Sequence, residues 1–233
     1  MDARVPICST RPAMFLFVPY EVRTLTQRTP WANMFILVVC VLVFSAFSFE
    51  IFPEEALKYF VLDGNDGLAA TGSDFMHGSW GHLIGNMIFL WVFGNALCGV
   101  MPSFLYFTLY LLLGGMANVI HFYVDGRPCV GASGAISGLL GMFLALYPLN
   151  RVHSFYLILF KGGLWDVPGW VLLTLWFVLQ LTSAMGGPAQ VAYWAHIGGF
   201  VSGVALGLIL DHFGLIDTGD YDNPSLLGLV TGK

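Results

Sequence analysis

The sequence predicts an all-α membrane protein built as a bundle of six transmembrane helices. Hydrophobic residues make up 57% of the 233-residue chain and charged residues 10%, and the mean hydropathy of +0.77 is far above that of soluble domains. Six apolar runs are each about long enough to cross roughly 30 Å of hydrocarbon. They lie near residues 32–49, 80–99, 104–124, 133–149, 169–184 and 192–213.

A single domain accounts for most of the chain, because a compact helical bundle needs all six spans together. We expect residues 1–30 to form a cytoplasmic N-terminal segment, residues 31–213 the six-helix membrane domain, and residues 214–233 a polar C-terminal tail. The longest connection, about residues 50–76, follows the first helix. Loops of that length are usually functional or interfacial.

Basic residues are distributed unevenly between the two sides of the predicted bundle. One side holds Arg4, Arg11, Arg23, Arg28, Arg151 and Lys161, and the other holds Lys58 and Arg127. Since Lys and Arg are retained on the cytoplasmic side, this bias places the N-terminus in the cytoplasm. We therefore expect an integral multi-pass protein of a bacterial inner (cell) membrane. The net charge of -5 gives no basis for nucleic acid binding.

Polar residues with catalytic potential lie near the starts of the second, fourth and sixth helices. They are His82 with Asn86, Ser133, and His196. With the N-terminus inside, these three helices all begin on the outer side, so the residues share one depth. Asn86 follows His82 by four residues and points the same way. His77, five residues before His82, cannot share that face and is expected to order the preceding loop.

Glycines give two of these helices the means to approach closely. Ser133 lies in the sequence Gly131-Ala132-Ser133-Gly134, at the start of the fourth helix. The two helices carry glycine stripes at Gly134, Gly138 and Gly141 and at Gly199, Gly203 and Gly207. Small residues let membrane helices pack at short distance. The pattern therefore predicts that Ser133 and His196 come within hydrogen-bonding range.

Serine acyl transfer is the chemistry that fits these residues. A serine hydroxyl needs a base to become nucleophilic, and the oxyanion that forms needs preorganised donors. His196 supplies the base, and the Ser133 backbone N–H, the Asn86 amide and the His82 ring supply donors. Asp211, fifteen residues after His196, is roughly 22 Å away along the helix. The sequence thus favours a Ser-His dyad, with Asp74 or another loop acid left open as a third member.

Three motifs resemble the signatures of the rhomboid intramembrane serine proteases, in that family's order and on its second, fourth and sixth helices. They are His77-x4-His82-x3-Asn86, Gly131-x-Ser133-Gly134 and Ala195-His196-x2-Gly199-x3-Gly203. The resemblance covers about residues 31–213. It implies that Ser133 is the nucleophile, that His196 is the general base, and that His82 and Asn86 belong to the oxyanion hole. It further implies a substrate that is a transmembrane segment of another protein, cut near its outer end at a small residue, with no cofactor and no metal.

The chain departs from the family pattern at two places. Many rhomboids carry an aromatic residue four positions after the nucleophile, where it stacks under the imidazole, and this chain has Ser137 there. Many also carry a glutamate near the end of the second helix, where this chain reads Gly94-Asn95-Ala96-Leu97-Cys98-Gly99. The first departure leaves open what holds the His196 ring.

Three other functions compete with proteolysis. A non-catalytic rhomboid-like protein that binds transmembrane clients would share the fold, although the retained Ser133 and His196 argue against it. A zinc site from His77, His82 and His196 is disfavoured by the spacing and by the lack of a completing ligand. A transporter would show inverted repeats, and the sequence has none. The expected partners are thus substrate transmembrane segments and the lipid bilayer, without nucleic acid or metal.

Overall fold

The helical membrane bundle predicted from the sequence is confirmed by a computed structural model, which describes residues 15–24, 28–64, 67–158, 161–186, 191–216 and 223–232. The first span is α1 (Trp31–Ser48) and the second is a continuous helix (Trp80–Cys98) made of α3 (Trp80–Phe89), a π-helical segment (Leu90–Gly94) and α4 (Asn95–Cys98). The other spans are α5 (Ser103–Val124), α6 (Ser133–Leu146), α7 (Gly169–Met185) and α8 (Tyr193–His212). Short helices complete the set, namely a 3-10 helix (Glu54–Tyr59), α2 (Gly67–Ser73) and α9 (Leu226–Thr231).

Local sequence signals set where the spans begin. Pro30, Pro102 and Pro168 directly precede α1, α5 and α7. Proline suits the start of a helix because the first amides have no acceptor within the helix. The helix α3 begins instead with a side-chain cap, since the Ser79 hydroxyl accepts a hydrogen bond from the His82 backbone N–H at 3.2 Å.

The spans differ in length. Among the described residues, four helices are long and apolar enough to cross a membrane by length and composition: Trp31–Ser48, Trp80–Cys98, Ser103–Val124 and Tyr193–His212. Two apolar helices are shorter, Ser133–Leu146 and Gly169–Met185. The shorter helix α6 lies at the centre of the bundle, with Gly134 to Phe143 all buried.

The glycine stripes bring α6 and α8 into backbone contact, as the sequence predicts. A Cβ atom placed on Gly199 would collide with the Gly134 carbonyl oxygen, and one on Gly203 would collide with the Gly138 carbonyl oxygen. A Cβ on Gly141 would in turn meet the Phe200 carbonyl oxygen. No side chain fits at these positions without moving the backbone, so the glycines define the distance between the two helices.

A buried amide ties α1 to the π-helical segment. The Asn33 side chain donates to the Leu90 carbonyl at 2.9 Å and to the Asn95 side-chain oxygen at 2.8 Å. The Tyr106 hydroxyl in α5 donates to the Asn33 side-chain oxygen at 2.6 Å. These bonds pair buried polar groups around the π-helical segment within the protein, where no water is available at membrane depth.

A three-stranded antiparallel sheet, which the sequence did not predict, joins the N-terminal segment to the connection between α6 and α7. Its order is β1 (Phe15–Val22), β2 (Arg151–Ile158) and β3 (Lys161–Pro168). Strand β1 pairs with β2 from Phe15 opposite Ile158 to Val22 opposite Val152, with a register shift between Pro19 and Glu21. The strand β1 of the predicted N-terminal segment therefore belongs to the folded unit rather than lying apart from it.

The predicted polar tail contains the short helix α9. The Ser225 hydroxyl accepts from the Gly228 backbone N–H at 3.0 Å and donates to Asp211 Oδ2 at 2.6 Å. These two bonds attach the start of α9 to the end of α8.

Two long-range backbone pairings fix which connections share a side of the membrane. Leu62, after α1, pairs with Cys129, after α5. Strand β1, before α1, pairs with β2, after α6. Each pairing requires an even number of crossings between its partners. Both requirements are met when every span crosses, including the short helix α6, because two spans separate the first pair and four separate the second.

Candidate active site

The first wall of the site is the start of α3. Ser79 caps this helix at the His82 amide, and one turn later Asn86 lies on the same face. The Asn86 side-chain nitrogen is buried and has no hydrogen-bond partner among the described residues. A buried amide donor without an acceptor is costly, so its presence points to a group that binds there.

The second wall is the loop that leads into α6. Gly131 has a φ of +132°, and its N–H donates to the Ser73 carbonyl at 2.9 Å. A Cβ on Gly131 would lie 2.7 Å from His82 Cε1 and 3.4 Å from Ser133 Oγ. Glycine is needed here both for the backbone angle and for the close approach of the His82 ring. The loop therefore brings His82 and Ser133 together, and Ser133 begins α6, where backbone amides are free to donate.

Two adjoining cavities meet at the predicted residues. The larger, of about 940 Å³, is lined by polar groups that include Ser79, His121 and Arg127. The smaller, of about 270 Å³, has apolar walls that include Phe89 and Leu140. The residues common to both cavities are His82, Asn86, Ser133 and His196.

Ser133 and His196 therefore both line both cavities. Among the described residues, no hydrogen bond joins the Ser133 hydroxyl to His196. Catalytic hydrogen bonds are often long in the absence of substrate. A hydrogen-bonding distance between the Ser133 hydroxyl and the His196 ring therefore stays a prediction. The Ser137 hydroxyl, one turn after Ser133, donates to the Ser133 carbonyl at 2.6 Å rather than to the imidazole.

The His196 ring is held by two residues of α7. Its Nδ1 lies 2.8 Å from Gln180 Oε1, and the Trp176 ring packs beside it with centroids 6.1 Å apart and planes tilted by 33°. Both residues also line the smaller cavity. Neither was identified from the sequence. Gln180 could have been singled out from the sequence because it is a strongly polar residue inside an apolar span. Such residues usually have a hydrogen-bond partner in the bundle.

Asp74, which the sequence left open as a third catalytic member, faces α5 instead. Its side chain accepts from Asn118 Nδ2 at 3.3 Å and packs where a Gly114 Cβ would be, and its carbonyl accepts from the Tyr110 hydroxyl at 2.8 Å. Burial raises the pKa of the Asp74 carboxyl well above its usual range, with Asn118 opposing that shift. Asp74 lines neither cavity.

His77 lies in the loop before α3 and is 1% exposed. Its ring packs edge-on against His82, with centroids 5.2 Å apart. Burial, followed by the proximity of His82, lowers the pKa of His77 to about 4. His77 is thus neutral near pH 7 and packs against the His82 ring. The role of His77 in ordering the loop stays a prediction.

Two other groups at the larger cavity have reactive side chains. Burial, followed by the nearby Asp74 and Asp125, raises the pKa of the Cys129 thiol to about 12, so it stays protonated and is a poor nucleophile. His121 Nε2 is engaged by the Arg127 carbonyl at 2.9 Å. Within the described part of the chain, no group of three or more His, Cys, Asp or Glu side chains is arranged to hold a metal ion. The zinc site considered from His77, His82 and His196 therefore has no geometric support there.

Comparison with known proteins agrees with this site. Residues 69–213, more than half of the chain, match the family model for the Rhomboid domain. The chain belongs to the rhomboid family. That family includes serine proteases, and the matched residues include all three helices that carry Ser133, His196 and the His82–Asn86 pair.

Curated rhomboid proteins from several eukaryotes are similar to this rhomboid. Rhomboid protein 1, mitochondrial, of Saccharomyces cerevisiae is 30% identical over 154 residues, covering 60% of this chain and 41% of the relative. RHOMBOID-like protein 4 of Arabidopsis thaliana is 28% identical over 162 residues, covering 67% and 38%. The human presenilin-associated rhomboid-like protein, mitochondrial, is 25% identical over 183 residues, covering 72% and 45%. The chain spans about two fifths of the length of these relatives.

One expectation from the sequence is wrong. A bacterial inner membrane with a cytoplasmic N-terminus was expected, but these relatives are eukaryotic and two of them are named mitochondrial. The physical reason for the error is that an arginine bias reports a difference between the two sides of a membrane. It does not identify which membrane that is.

Proposed function

We propose that this rhomboid is an intramembrane serine endopeptidase that cleaves transmembrane segments of other membrane proteins. Ser133 is the nucleophile and His196 the general base. His82, Asn86 and the Ser133 backbone N–H are the oxyanion donors. The main observation in support is that both cavities are lined by the same four residues, which lie near the starts of three different spans. They are His82, Asn86, Ser133 and His196.

The unpaired Asn86 nitrogen supports the oxyanion assignment. A donor that is buried without an acceptor is already desolvated, so a developing oxyanion gains the whole interaction without reorganisation. The Ser133 amide, at the first position of α6, is free for the same reason that every helix N-terminus has free amides.

The reaction follows from these positions. The Ser133 hydroxyl attacks the substrate carbonyl while its proton passes to His196, and the carbonyl oxygen becomes an oxyanion held by the donors. Collapse of this intermediate breaks the peptide C–N bond, and His196 returns the proton to the leaving amine. Water, with His196 again as base, then hydrolyses the acyl-enzyme and restores Ser133. Polar groups on the wall of the larger cavity, among them Ser79 and Arg127, can hydrogen-bond that water as it enters.

The substrate and the membrane follow from the same proposal. A scissile carbonyl in an intact helix is hydrogen-bonded and cannot meet the donors, so the substrate must be locally unwound where it is cut. The resemblance to rhomboid proteases implies a cut near the outer end of the segment, at a small residue. The mitochondrial names of two relatives favour a eukaryotic organellar membrane as the location.

Cleavage of a transmembrane reporter in proteoliposomes tests the proposal. Ser133→Ala and His196→Ala should each abolish cleavage. Matched controls are Ser202→Ala, a buried serine of α8, and His153→Ala on β2, neither of which lines a cavity. Both controls should cleave at the wild-type rate.

Labelling by a fluorophosphonate separates catalysis from client binding. Wild-type protein should be labelled and Ser133→Ala should not be. Absence of labelling in both proteins, with retained binding of the reporter, would show a non-catalytic rhomboid-like protein instead.

A further inference from the structure

The hydrogen bond between His196 and Gln180 carries an inference beyond the assignment of nucleophile and base. Gln180 lies in α7, and its Oε1 is 2.8 Å from His196 Nδ1. Trp176, one turn earlier on α7, packs beside the same imidazole. Tyr193 of α8 also packs edge-on against the ring, with centroids 6.2 Å apart. The hydrogen bond to the ring, however, comes from a helix that carries neither the nucleophile nor the oxyanion donors.

The atoms in this bond determine where the imidazole proton lies. An amide oxygen only accepts, so Nδ1 must carry the proton in the neutral ring. Nε2 then has the free lone pair that a base needs. If Nδ1 were the unprotonated nitrogen, Nε2 would carry the hydrogen and could not accept the proton of Ser133.

A neutral partner suits this position better than an acid. A carboxylate inside a span is expensive, whereas an amide adds no charge to the resting site. When His196 takes a proton during the reaction, Nδ1–H still donates to the same oxygen, so no buried donor is left unpaired. The bond therefore serves both protonation states of the base.

We propose that Gln180 is a positioning residue that fixes the tautomer and rotation of His196, so that three spans supply a Ser133–His196–Gln180 arrangement. The role in catalysis rests on the proposed proteolytic function, but the effect on the ring does not. Gln180 and Trp176 thus contact the imidazole in a chain that has Ser137 where many rhomboids have an aromatic residue.

The ring itself provides the first test. Protein labelled with ¹⁵N-histidine distinguishes protonated from unprotonated ring nitrogens by NMR, and the His196 signals are assigned by their loss in His196→Ala. At a pH where the ring is neutral, wild type should show Nδ1 protonated and Nε2 unprotonated. The opposite pattern, or an even mixture of tautomers, would overturn the proposal even if the protein is an active protease.

Variants at Gln180 provide the second test. Gln180→Leu keeps the bulk without an acceptor and should mix the tautomers and lower kcat by about tenfold to a thousandfold, with KM nearly unchanged. Gln180→Glu keeps an accepting oxygen and should restore the Nδ1–H tautomer. Thr182→Ala, on the exposed side of α7, is the matched control and should change neither measurement.

The outcomes separate the two proposals. Absent cleavage and absent fluorophosphonate labelling in wild type would refute proteolysis, while the wild-type tautomer would still report on Gln180. A Gln180→Leu variant that keeps both the tautomer and kcat would refute the positioning role while leaving Ser133 and His196 in place. A misfolded Gln180→Leu variant leaves the decision to the wild-type spectrum and to Gln180→Glu.

Discussion

The side-chain nitrogen of Asn86 is buried at the cavity wall with no acceptor among the described residues. A structural asparagine between membrane helices would have used this donor as a hydrogen bond to a neighbouring span. The donor is therefore free for a bound group, and its place in the oxyanion hole stays a proposal.

Removal of this donor should slow the chemical step. We expect Asn86→Ala to lower kcat by about tenfold to several hundredfold, because one oxyanion donor is lost, while KM changes little. Reporter cleavage under saturating substrate measures this. A wild-type rate in the variant would remove Asn86 from the mechanism.

Ser137 has a local role in the structure. Its hydroxyl bonds the Ser133 carbonyl at 2.6 Å, one turn back in the same helix. Bonds of this type contribute little to helix stability, and alanine is the better helix former. We expect Ser137→Ala to cleave within about twofold of wild type and to change the free energy of unfolding by at most about 1 kcal/mol, since one local hydrogen bond is lost and helix propensity is gained. A dead but folded Ser137→Ala variant would show that the hydroxyl is needed in the site.

The site residues differ in how far the sequence could predict them. His82 and Asn86 were predictable because a four-residue spacing fixes a common face on one helix. Ser133 and His196 were predictable because glycines mark the line along which their helices meet. Gln180 was not, since its contact with His196 depends on how α7 crosses α8, and no repeated small residue records that crossing.

At the scale of elements, the contact between α6 and α8 is the most constrained in the bundle. Gly203 and Gly199 face backbone atoms rather than flexible side chains, so a methyl group there cannot be accommodated by a rotamer change. Gly115 in α5 serves as a contrast, because a Cβ added to it would have no neighbouring atom within 4 Å.

Gly203→Ala should therefore separate the two helices that carry the nucleophile and the base. We expect a loss on the order of 3 kcal/mol in the free energy of unfolding, from overpacking against backbone, together with loss of cleavage. Gly115→Ala should be neutral or slightly stabilising because alanine favours the helix. Thermal unfolding in detergent compares the two, and equal stability would show that α6 and α8 are less closely packed than described.

The polar cluster around Asn33 connects three spans. Asn33→Leu removes a side chain that donates to Leu90 and Asn95 and accepts from Tyr106. Leaving these buried groups unpaired should cost about 1–3 kcal/mol, measured by thermal unfolding. A Tyr106→Phe variant, which removes one of the bonds, should lose less, and a larger loss in Tyr106→Phe would contradict this account.

The three-stranded sheet could not be predicted from hydropathy, although the helical spans could. Helical spans are visible because each buries its own backbone hydrogen bonds and needs only a long apolar run. The strands β1 and β2 are far apart in sequence, and their short apolar stretches match several structures. Pairing between them is a property of the folded bundle, which places their two connections side by side.

At the scale of the whole molecule, two buried groups outside the spans give stability opposite dependences on pH. The raised pKa of Asp74 means that the native state holds a proton that the unfolded chain releases above about pH 4. The stability that Asp74 contributes is therefore complete below about pH 4 and is lost as the pH rises toward its pKa in the native state. His77, with its pKa lowered to about 4 from 6.5, contributes stability above about pH 6.5 that is lost as pH falls.

Asp74→Asn should remove the loss of folding stability that wild type shows as the pH rises. We expect the variant to be more stable than wild type at pH 8 and no more stable at pH 4, with each titrating group contributing a slope of at most about 1.4 kcal/mol per pH unit. Thermal unfolding across pH measures the difference, with the exposed Asp63→Asn as control. Cleavage should persist, since Asp74 lines neither cavity. Lower stability of Asp74→Asn at pH 8 would contradict the raised pKa of Asp74.

The pairing of β1 with β2 also sets an order of events during synthesis. Strand β1 leaves the ribosome first, but its partner, which begins at Arg151, follows only after the four spans that end with α6. Until β2 is available, the backbone N–H and C=O groups of β1 lack their partners and can pair with another chain. Because contacts between distant segments form late, we expect this sheet to form only after α6 has been inserted. Its formation would then show that the first four spans are in place.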